Sequence, residues 1–322
     1  MTRKSISQDE IDIYDRQIRL WGIEGQTSIS NSSVVLIGVR ELGEEIGKNL
    51  VLAGIGSLTL LDGEEIKDIA PNTHFCISSS DIGKKYAEVV LNELKRVNPS
   101  VKLIASTENI FDLPDEYFSS FDVVICCELG LDLMMRLNSI CRRFGVAFYS
   151  CAMYGFYGYI FSDLIEHTYI IEKKVQDKAK ESVKVPCTER YYPLSEIIHH
   201  KYGETLTQKR KKKVSPLLPG IMGLWKFQQK FSHFPSNSQE ITQYLSMIKE
   251  INAQLGLSDD ILENNVLINL AKKANYKWSP VASVIGGVLA QDILNFLNKQ
   301  ERPIQNLFFF NGEICTGPIY QV

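Results

Sequence analysis

The 322 residues include seven cysteines but no C-x-x-C pair, and five histidines but no H-E-x-x-H spacing. The first absence excludes the usual zinc clamp and the cycling dithiol; the second excludes the paired-histidine zinc hydrolases. Seven is odd and the cysteines are scattered, so no disulfide framework is expected and the thiols read as small buried hydrophobes. Charge of one sign is missing too. The 35 Lys and Arg face 38 Asp and Glu, a formal net charge of -3, without the basic excess that nucleic-acid binding leaves. No apolar run reaches the roughly 20 residues of a membrane span, and M-T-R-K-S-I-S-Q-D-E at the start has no signal-peptide core. Neither nucleic acid nor membrane is an expected partner, and the chain is expected in the cytosol or nucleus. No internal repeat is visible.

What is present is organised around Val34 to Asp62. An apolar run, Val34 to Ile37, meets Gly38. A segment of helical period follows, with Leu42, Ile46, Leu50 and Ala53 on one face, and a second apolar run, Leu58 to Leu61, ends at an acid. The pattern predicts strand, helix, strand, the unit that sets a ligand's phosphates over a helix N-terminus. The G-x-G-x-x-G spacing is broken, because Arg40 stands between Gly38 and Gly43 where the middle glycine belongs. Arg40 either contacts phosphate itself or blocks the pocket. Asp62 lies where an acid takes ribose hydroxyls. Gly38, Gly43 and Asp62 are thus the candidate nucleotide-binding residues of a degenerate site.

Around this unit, Ser7 to Glu10 has the form of a capping box. Ile11, Tyr14, Ile18 and Trp21 then recur at helical spacing, predicting an amphipathic helix whose polar face carries Asp15, Arg16 and Arg19. After a loop over Gly63 to Ser80, a helix capped by Asp81 is expected over Lys84 to Asn98. Strands follow at Val101 to Ser106, Val123 to Cys127 and Ala147 to Cys151, with a helix over Leu131 to Phe144. This alternation predicts an α/β fold, a Rossmann-like, doubly wound, mainly parallel sheet with its ligand side at the strand C-termini. From Tyr154 the pattern turns to alternation and predicts antiparallel strands that continue the sheet. Lys173 to Lys184 reads as a charged loop and Ser195 to Asn275 as helical. Within the latter, Lys209 to Lys213 is a basic run, either a solvated loop or a nuclear import signal.

Near the end, Ser279 is the predicted cap of a nearly apolar helix that has Pro280 in its first turn and should be buried. Gly286 and Gly287 in its interior suggest another backbone passing close. The strand L-F-F-F, a turn at Asn311-Gly312 and a strand from Ile314 are expected to close the fold.

Several of these strings occur together in one known family. Y-D-R-Q-I-R-L-W-G at Tyr14 to Gly22, the unit from Gly38 to Asp62, D-I-G-K-K-Y-A-E at Asp81 to Glu88, Y-G-F-Y-G-Y at Tyr154 to Tyr159, P-V-A-S-V-I-G-G-V-L-A-Q-D at Pro280 to Asp292 and F-F-F-N-G at Phe308 to Gly312 resemble the adenylating enzymes that activate ubiquitin-like proteins. The nearest likeness is to the small-subunit branch that serves SUMO. Only residues 175 to 275 lack a distinctive match. The resemblance implies a single pseudo-adenylation domain over 1–322, with a charged loop and helical insertion at 175–278 and a buried helix and closing strands at 279–322.

In active members the family motif supplies G-x-G-x-x-G, an Asn-Arg-Gln segment, a lysine in the next helix and an aspartate for magnesium. Here Arg40 replaces a glycine, D-G-E-E-I-K-D-I-A-P-N-T-H-F at Asp62 to Phe75 has no Asn-Arg-Gln, and Leu129 stands where the aspartate belongs, with Glu128 one residue off as a possible substitute. An aliphatic side chain cannot ligate magnesium. The resemblance therefore implies a degenerate half without nucleotide or metal of its own. ATP and magnesium would sit in a larger catalytic partner, with SUMO as the other partner, the conjugating enzyme engaged indirectly, and a location in the nucleus and also the cytoplasm. Such a half would support ATP-dependent adenylation of the SUMO C-terminal glycine before thioester transfer on the partner. It carries Arg16 over as the residue that reaches across to the partner's ATP phosphates, a task suited to guanidinium, against a plain solvated-face reading. Arg19 reads as an ion-pair partner.

Cys187, in V-P-C-T-E-R-Y-Y-P, is either a structural cysteine or, by its likeness to a thioester segment, a nucleophile. The competing readings are a self-contained homodimeric activating enzyme using Glu128 and Cys187, a dinucleotide-dependent oxidoreductase resting on Gly38, Gly43 and Asp62, and a pure scaffold.

Overall fold

The computed structural model describes residues 6–67, 74–174, 182–205, 207, 211 and 213–321. The Ser7 capping box starts a short helix, α1 (Gln8–Ile13), but the helix expected to run on through Trp21 breaks at Tyr14 and resumes as α2 (Asp15–Ser30). A second kink follows at Gly22, where φ is 78°. The break has a packing cause. Tyr14 is the buried member of the predicted apolar stripe; its ring lies so close over Gly54 that a Cβ there would meet it at 2.3 Å, and its hydroxyl accepts from Asn98 Nδ2 at 2.8 Å.

Strands β1 (Ser33–Ile37), β2 (Ser57–Leu61), β3 (Lys102–Ser106), β4 (Val123–Cys127) and β5 (Ala147–Tyr154) are joined through α3 (Glu41–Leu52), α4 (Tyr86–Val97) and α5 (Leu131–Phe144). They pair in parallel, and β6 (Tyr157–Asp163), β9 (Leu307–Asn311) and β10 (Ile319–Tyr320) continue the sheet antiparallel in the order β10-β9-β6-β5-β4-β1-β2-β3. Strands buried on both faces read as continuous apolar runs, and their side chains divide by parity. Val34, Leu36, Val123 and Ile125 enter a core with α3, α4 and the C-terminal helix; Val35, Ile37, Val124 and Cys126 enter the opposite core. That second core is covered by α5 and by α6 (Leu217–Phe231), α7 (Ser238–Gln254) and α8 (Asn264–Lys273), with Trp225 edge-on to Tyr159 at 4.9 Å.

Four local expectations are corrected. Asp81 caps a one-turn 3-10 helix with Ser78, and α4 begins only after Lys85. The charged loop assigned to Lys173–Lys184 is narrower, since β7 (Glu166–Lys174) and β8 (Ser182–Arg190) form an antiparallel hairpin whose high charge reflects exposure rather than irregularity; 175–181 lie outside the described residues. The last strand starts at Ile319, with an isolated bridge from Asn311 to Thr316 before it. Trp278, not Ser279, is the N-cap of α9 (Ser279–Asn298).

Helix α9 is, by length and hydropathy, able to cross a membrane. Here it is a core helix, packed on α2, α3, β5 and β6. It carries buried Asp292, which accepts from the Tyr149 hydroxyl at 2.9 Å and the Ile304 N–H at 2.7 Å, while burial pushes its carboxyl up to about 7. The close backbone approach inferred from the two glycines holds at Gly286, where a Cβ would lie 3.0 Å from Glu45 Cβ and 3.4 Å from the Ile46 nitrogen; around Gly287 nothing lies within 4 Å.

The two glycines should therefore respond oppositely. Gly286→Val is expected to cost about 1–3 kcal/mol by overpacking α9 on α3, and Gly287→Ala to gain up to about 1 kcal/mol of helix propensity. Urea denaturation of both variants checks this, and equal effects would contradict it.

Candidate functional site

Strand order reverses between β1 and β4, and a parallel α/β sheet opens its ligand crevice at such a point. A cleft of about 660 Å³ lies there, floored by the ends of β1 (Ile37, Gly38), β2 (Leu61, Asp62), β4 (Cys127, Glu128) and β5 (Ala152). Gly38 has φ of 85° and a Cβ on it would strike the Cys127 carbonyl oxygen at 2.4 Å; a Cβ on Gly43 would strike the Gly38 oxygen at the same distance. Both glycines are thus required by the packing of α3 on the sheet, whatever the cleft holds. Gly38 and Asp62 line the cleft, whereas Gly43 faces the loop behind it.

Apart from the exposed Glu108, the charges of the cleft are answered from within the chain. Asp62 accepts the Val39 N–H and the Glu64 N–H, each at 2.9 Å, one on each oxygen. Arg40 pairs with Glu64 at 2.9 Å and lies over the Tyr86 ring, so its guanidinium is drawn to the cleft wall. Glu128, held at φ of 59° by the turn that ends β4, pairs with Lys277 from the segment before α9; both side chains are largely buried. Lys277 was not singled out by the sequence, since a lone lysine ahead of a helix carries no pattern.

Behind the glycine loop, Glu41 and Glu44 occupy the first turn of α3. Glu44 is fully buried and accepts the Phe75 and Cys76 N–H groups at 2.9 Å each and His74 Nδ1, while His74 Nε2 faces Glu41 at 3.3 Å. Burial disfavours the imidazolium, but hydrogen bonds to Glu41 and Glu44 outweigh it and raise His74 to about 9. Glu41 is lowered, burial notwithstanding, by its bond to His74. The burial of Glu44 is readable in retrospect, because it sits three residues before Gly47 and seven before Val51 on the buried stripe of α3.

A helix N-terminus attracts phosphate only while its positive end is unanswered. Here Glu41 and Glu44 of the first turn answer it, themselves held by His74, an arginine side chain replaces the glycine that admits a pyrophosphate, and Glu128, the candidate substitute for a magnesium carboxylate, already holds an ammonium. The residues present do not fit a magnesium nucleotide.

The ThiF family model matches residues 14–316. SUMO-activating enzyme subunit 1 of Xenopus tropicalis is 35% identical over 97% of this chain and 95% of its own length. The chain belongs to the ThiF family. The human SUMO-activating enzyme subunit 1 is 31% identical, covering 97% of each chain, and the DNA damage tolerance protein rad31 of Schizosaccharomyces pombe is 33% identical over 100% of both. Among solved structures, Escherichia coli MccB with succinimide aligns over 96% of this chain and 71% of its own with a TM-score of 0.56 and 15% identity, a likeness of fold.

For this ThiF-family chain, the position of Arg16 is set by α2, which is tied to the C-terminal end of α3. Gln17 Nε2 donates to the Leu52 oxygen at 3.4 Å and Gln26 Nε2 to the Ala53 oxygen at 3.0 Å. The cleft lies at the N-terminal end of α3, and twelve helical residues span about 18 Å. Arg16 is exposed and has no hydrogen-bond or ion-pair partner among the described residues, whereas its neighbour Arg19 pairs with Asp15 at 2.8 Å. Cys187 lies on the β7–β8 hairpin opposite Tyr169, not in the cleft.

The His74 cluster gives a pH signature. A raised folded-state pKa contributes stability that is complete below the unfolded value of 6.5 and is lost as pH rises through about 9. Stability is expected to fall across that window in the parent chain and to stay flatter in His74→Gln, as measured by urea denaturation; parallel pH profiles would contradict the assignment.

Proposed function

We propose that this chain is the non-thioester subunit of a heterodimeric SUMO-activating enzyme. It supports ATP-dependent adenylation of the SUMO C-terminal glycine in the site of a larger catalytic subunit, where ATP and magnesium bind and the thioester then forms. In that reaction a carboxylate oxygen of the glycine attacks the α-phosphorus, the acyl-adenylate bond forms, and pyrophosphate leaves. The reading is supported by the names of relatives that match nearly the full chain, SUMO-activating enzyme subunit 1 in Xenopus tropicalis and in human.

One observation carries it. Both cations of the chain's own cleft are bound to its carboxylates, while Arg16, exposed and without an ion-pair partner among the described residues, stands on α2 beside the C-terminal end of α3. An arginine so placed serves another chain's site better than its own. A guanidinium stays charged and takes two phosphate oxygens at once, which suits charge that develops on a phosphate in the transition state. The self-contained reading through Glu128 and Cys187 draws no such support, because Glu128 is bound to Lys277 and Cys187 is part of a hairpin.

With purified catalytic subunit, SUMO, ATP and magnesium, Arg16→Ala is expected to slow single-turnover thioester formation by about 100-fold while the heterodimer still assembles by gel filtration, and Arg16→Lys to recover part of the rate. An unchanged rate in Arg16→Ala would leave the chain a scaffold only. A nuclear location is proposed from the basic run Lys209 to Lys213, most of which lies outside the described residues. Alanine substitution of the run is expected to shift a fluorescent fusion toward the cytoplasm; unchanged imaging would assign it to a solvated loop.

A further inference from the structure

The part of α2 that carries Arg16, residues 15–21, is bounded by two breaks, one at Tyr14 before it and one at Gly22 after it, where φ is 78°. Two turns of helix are marginal on their own, and a break leaves the direction of the piece beside it unset. The orientation of this segment, and with it the aim of Arg16, must therefore come from side-chain ties to the rest of the chain. Arg16 supplies none of them, being exposed and without a hydrogen-bond or ion-pair partner among the described residues.

At the first break the Tyr14 ring covers Gly54, and its hydroxyl accepts from Asn98 Nδ2. Midway, Gln17 Nε2 reaches the Leu52 oxygen only at 3.4 Å. At the second break the ties run through Trp21. Its carbonyl oxygen accepts from Gln300 Nε2, just beyond α9, at 2.7 Å, and its indole Nε1–H donates across the kink to Gln26 Oε1 at 2.9 Å. Gln26 is 0% exposed and donates in turn from Nε2 to the oxygen of Ala53, the C-cap of α3, at 3.0 Å. The Trp21 ring is seated on Gly25, where a Cβ would meet its Cδ1 at 2.9 Å. A buried amide that loses a partner keeps an unpaired polar atom, so the relay from Trp21 through Gln26 to Ala53 holds the bend at Gly22 to one geometry. Arg16 lies about 9 Å along the helix from that bend, and a tilt of about 10° there displaces its Cα by about 1.5 Å.

We propose that Trp21 and Gln26 are positioning residues for adenylation in the partner's site: their relay to Ala53 fixes the bend of α2 and so aims Arg16, and loss of the relay slows the reaction while the subunit still assembles. The role rests on Arg16 acting in the partner's site as proposed for the function.

Single-turnover thioester formation with purified catalytic subunit, SUMO, ATP and magnesium tests it in Trp21→Phe and Gln26→Met, each alone and each combined with Arg16→Ala. Trp21→Phe keeps an aromatic ring on Gly25 and removes the N–H; Gln26→Met keeps the volume and removes both polar atoms. Each is expected to form the heterodimer by gel filtration and to slow thioester formation about 10-fold or more, the effect of a misplacement on the order of 1 Å. In the Arg16→Ala background each is expected to add less than about twofold, because the group that the relay aims is gone. A role in stability or assembly alone would slow the reaction by the same factor in both backgrounds. A parent rate in either single variant, equal factors in the two backgrounds, or a Trp21→Phe chain that no longer joins the catalytic subunit would overturn the proposal. An unchanged rate in Arg16→Ala would instead remove the role of Arg16 itself, so that one variant tells the two failures apart.

Discussion

The ion pair between Lys277 and Glu128 joins the segment ahead of α9 to the end of β4, and much of the molecule's character depends on charges being met in this internal way. A partly buried carboxylate costs several kcal/mol unless a donor reaches it. Each acid around the glycine loop has found such a donor within the chain: Lys277 for Glu128, Arg40 for Glu64, His74 for Glu41 and Glu44, and backbone N–H groups for Asp62. A site completed in this way holds its shape without a ligand. It also has no positive charge left over with which to hold a phosphate.

The fold survives the change because its requirements and those of phosphate binding fall on different atoms. Gly38 and Gly43 are fixed because a Cβ on either would lie 2.4 Å from a carbonyl oxygen, that of Cys127 or of Gly38, so packing alone suffices to require these two positions of the fingerprint. Position 40 is the N-cap of α3, where the long side chain lies along the cleft wall over Tyr86 and on Glu64, clear of the contacts that fix the two glycines. The same division explains why Gly286 meets the backbone of α3 and Gly287 meets nothing.

The α/β architecture is legible in the sequence where burial is two-sided. Val34–Ile37, Leu58–Leu61 and Val123–Cys127 are continuous apolar runs because both faces of their strands are covered, and the strands fall there. The hairpin β7–β8 is not legible, since an exposed two-stranded element carries the charge that a loop carries. The first helix misleads for a related reason: its apolar period is real, yet the single ring of Tyr14 seated on Gly54 decides where the helix stops. Within the cleft, Gly38, Arg40 and Asp62 are readable because they are close in sequence and their spacing has meaning. Lys277 is 149 residues from Glu128, and such a pair exists only after the sheet has brought the two segments together.

Arg16, without a hydrogen-bond or ion-pair partner among the described residues, is then the informative exception. Arg16 stands on a surface where Ile13, Leu20, Ile23 and Leu52 are exposed by 62%, 76%, 50% and 49%. A cluster of exposed large apolar residues is a surface that association would cover. Covering it would also strip water from a guanidinium that has no ion-pair partner among the described residues, at a cost that a facing anion offsets. A partner suited to this end of the molecule must therefore bring negative charge to Arg16 as well as apolar surface to its neighbours. A phosphate held in the partner's own cleft meets that requirement with charge, geometry and bidentate capacity together. The chain answers the charges at one end of α3 and leaves Arg16, beside the other, without an ion-pair partner among the described residues, the condition that the role proposed for it requires.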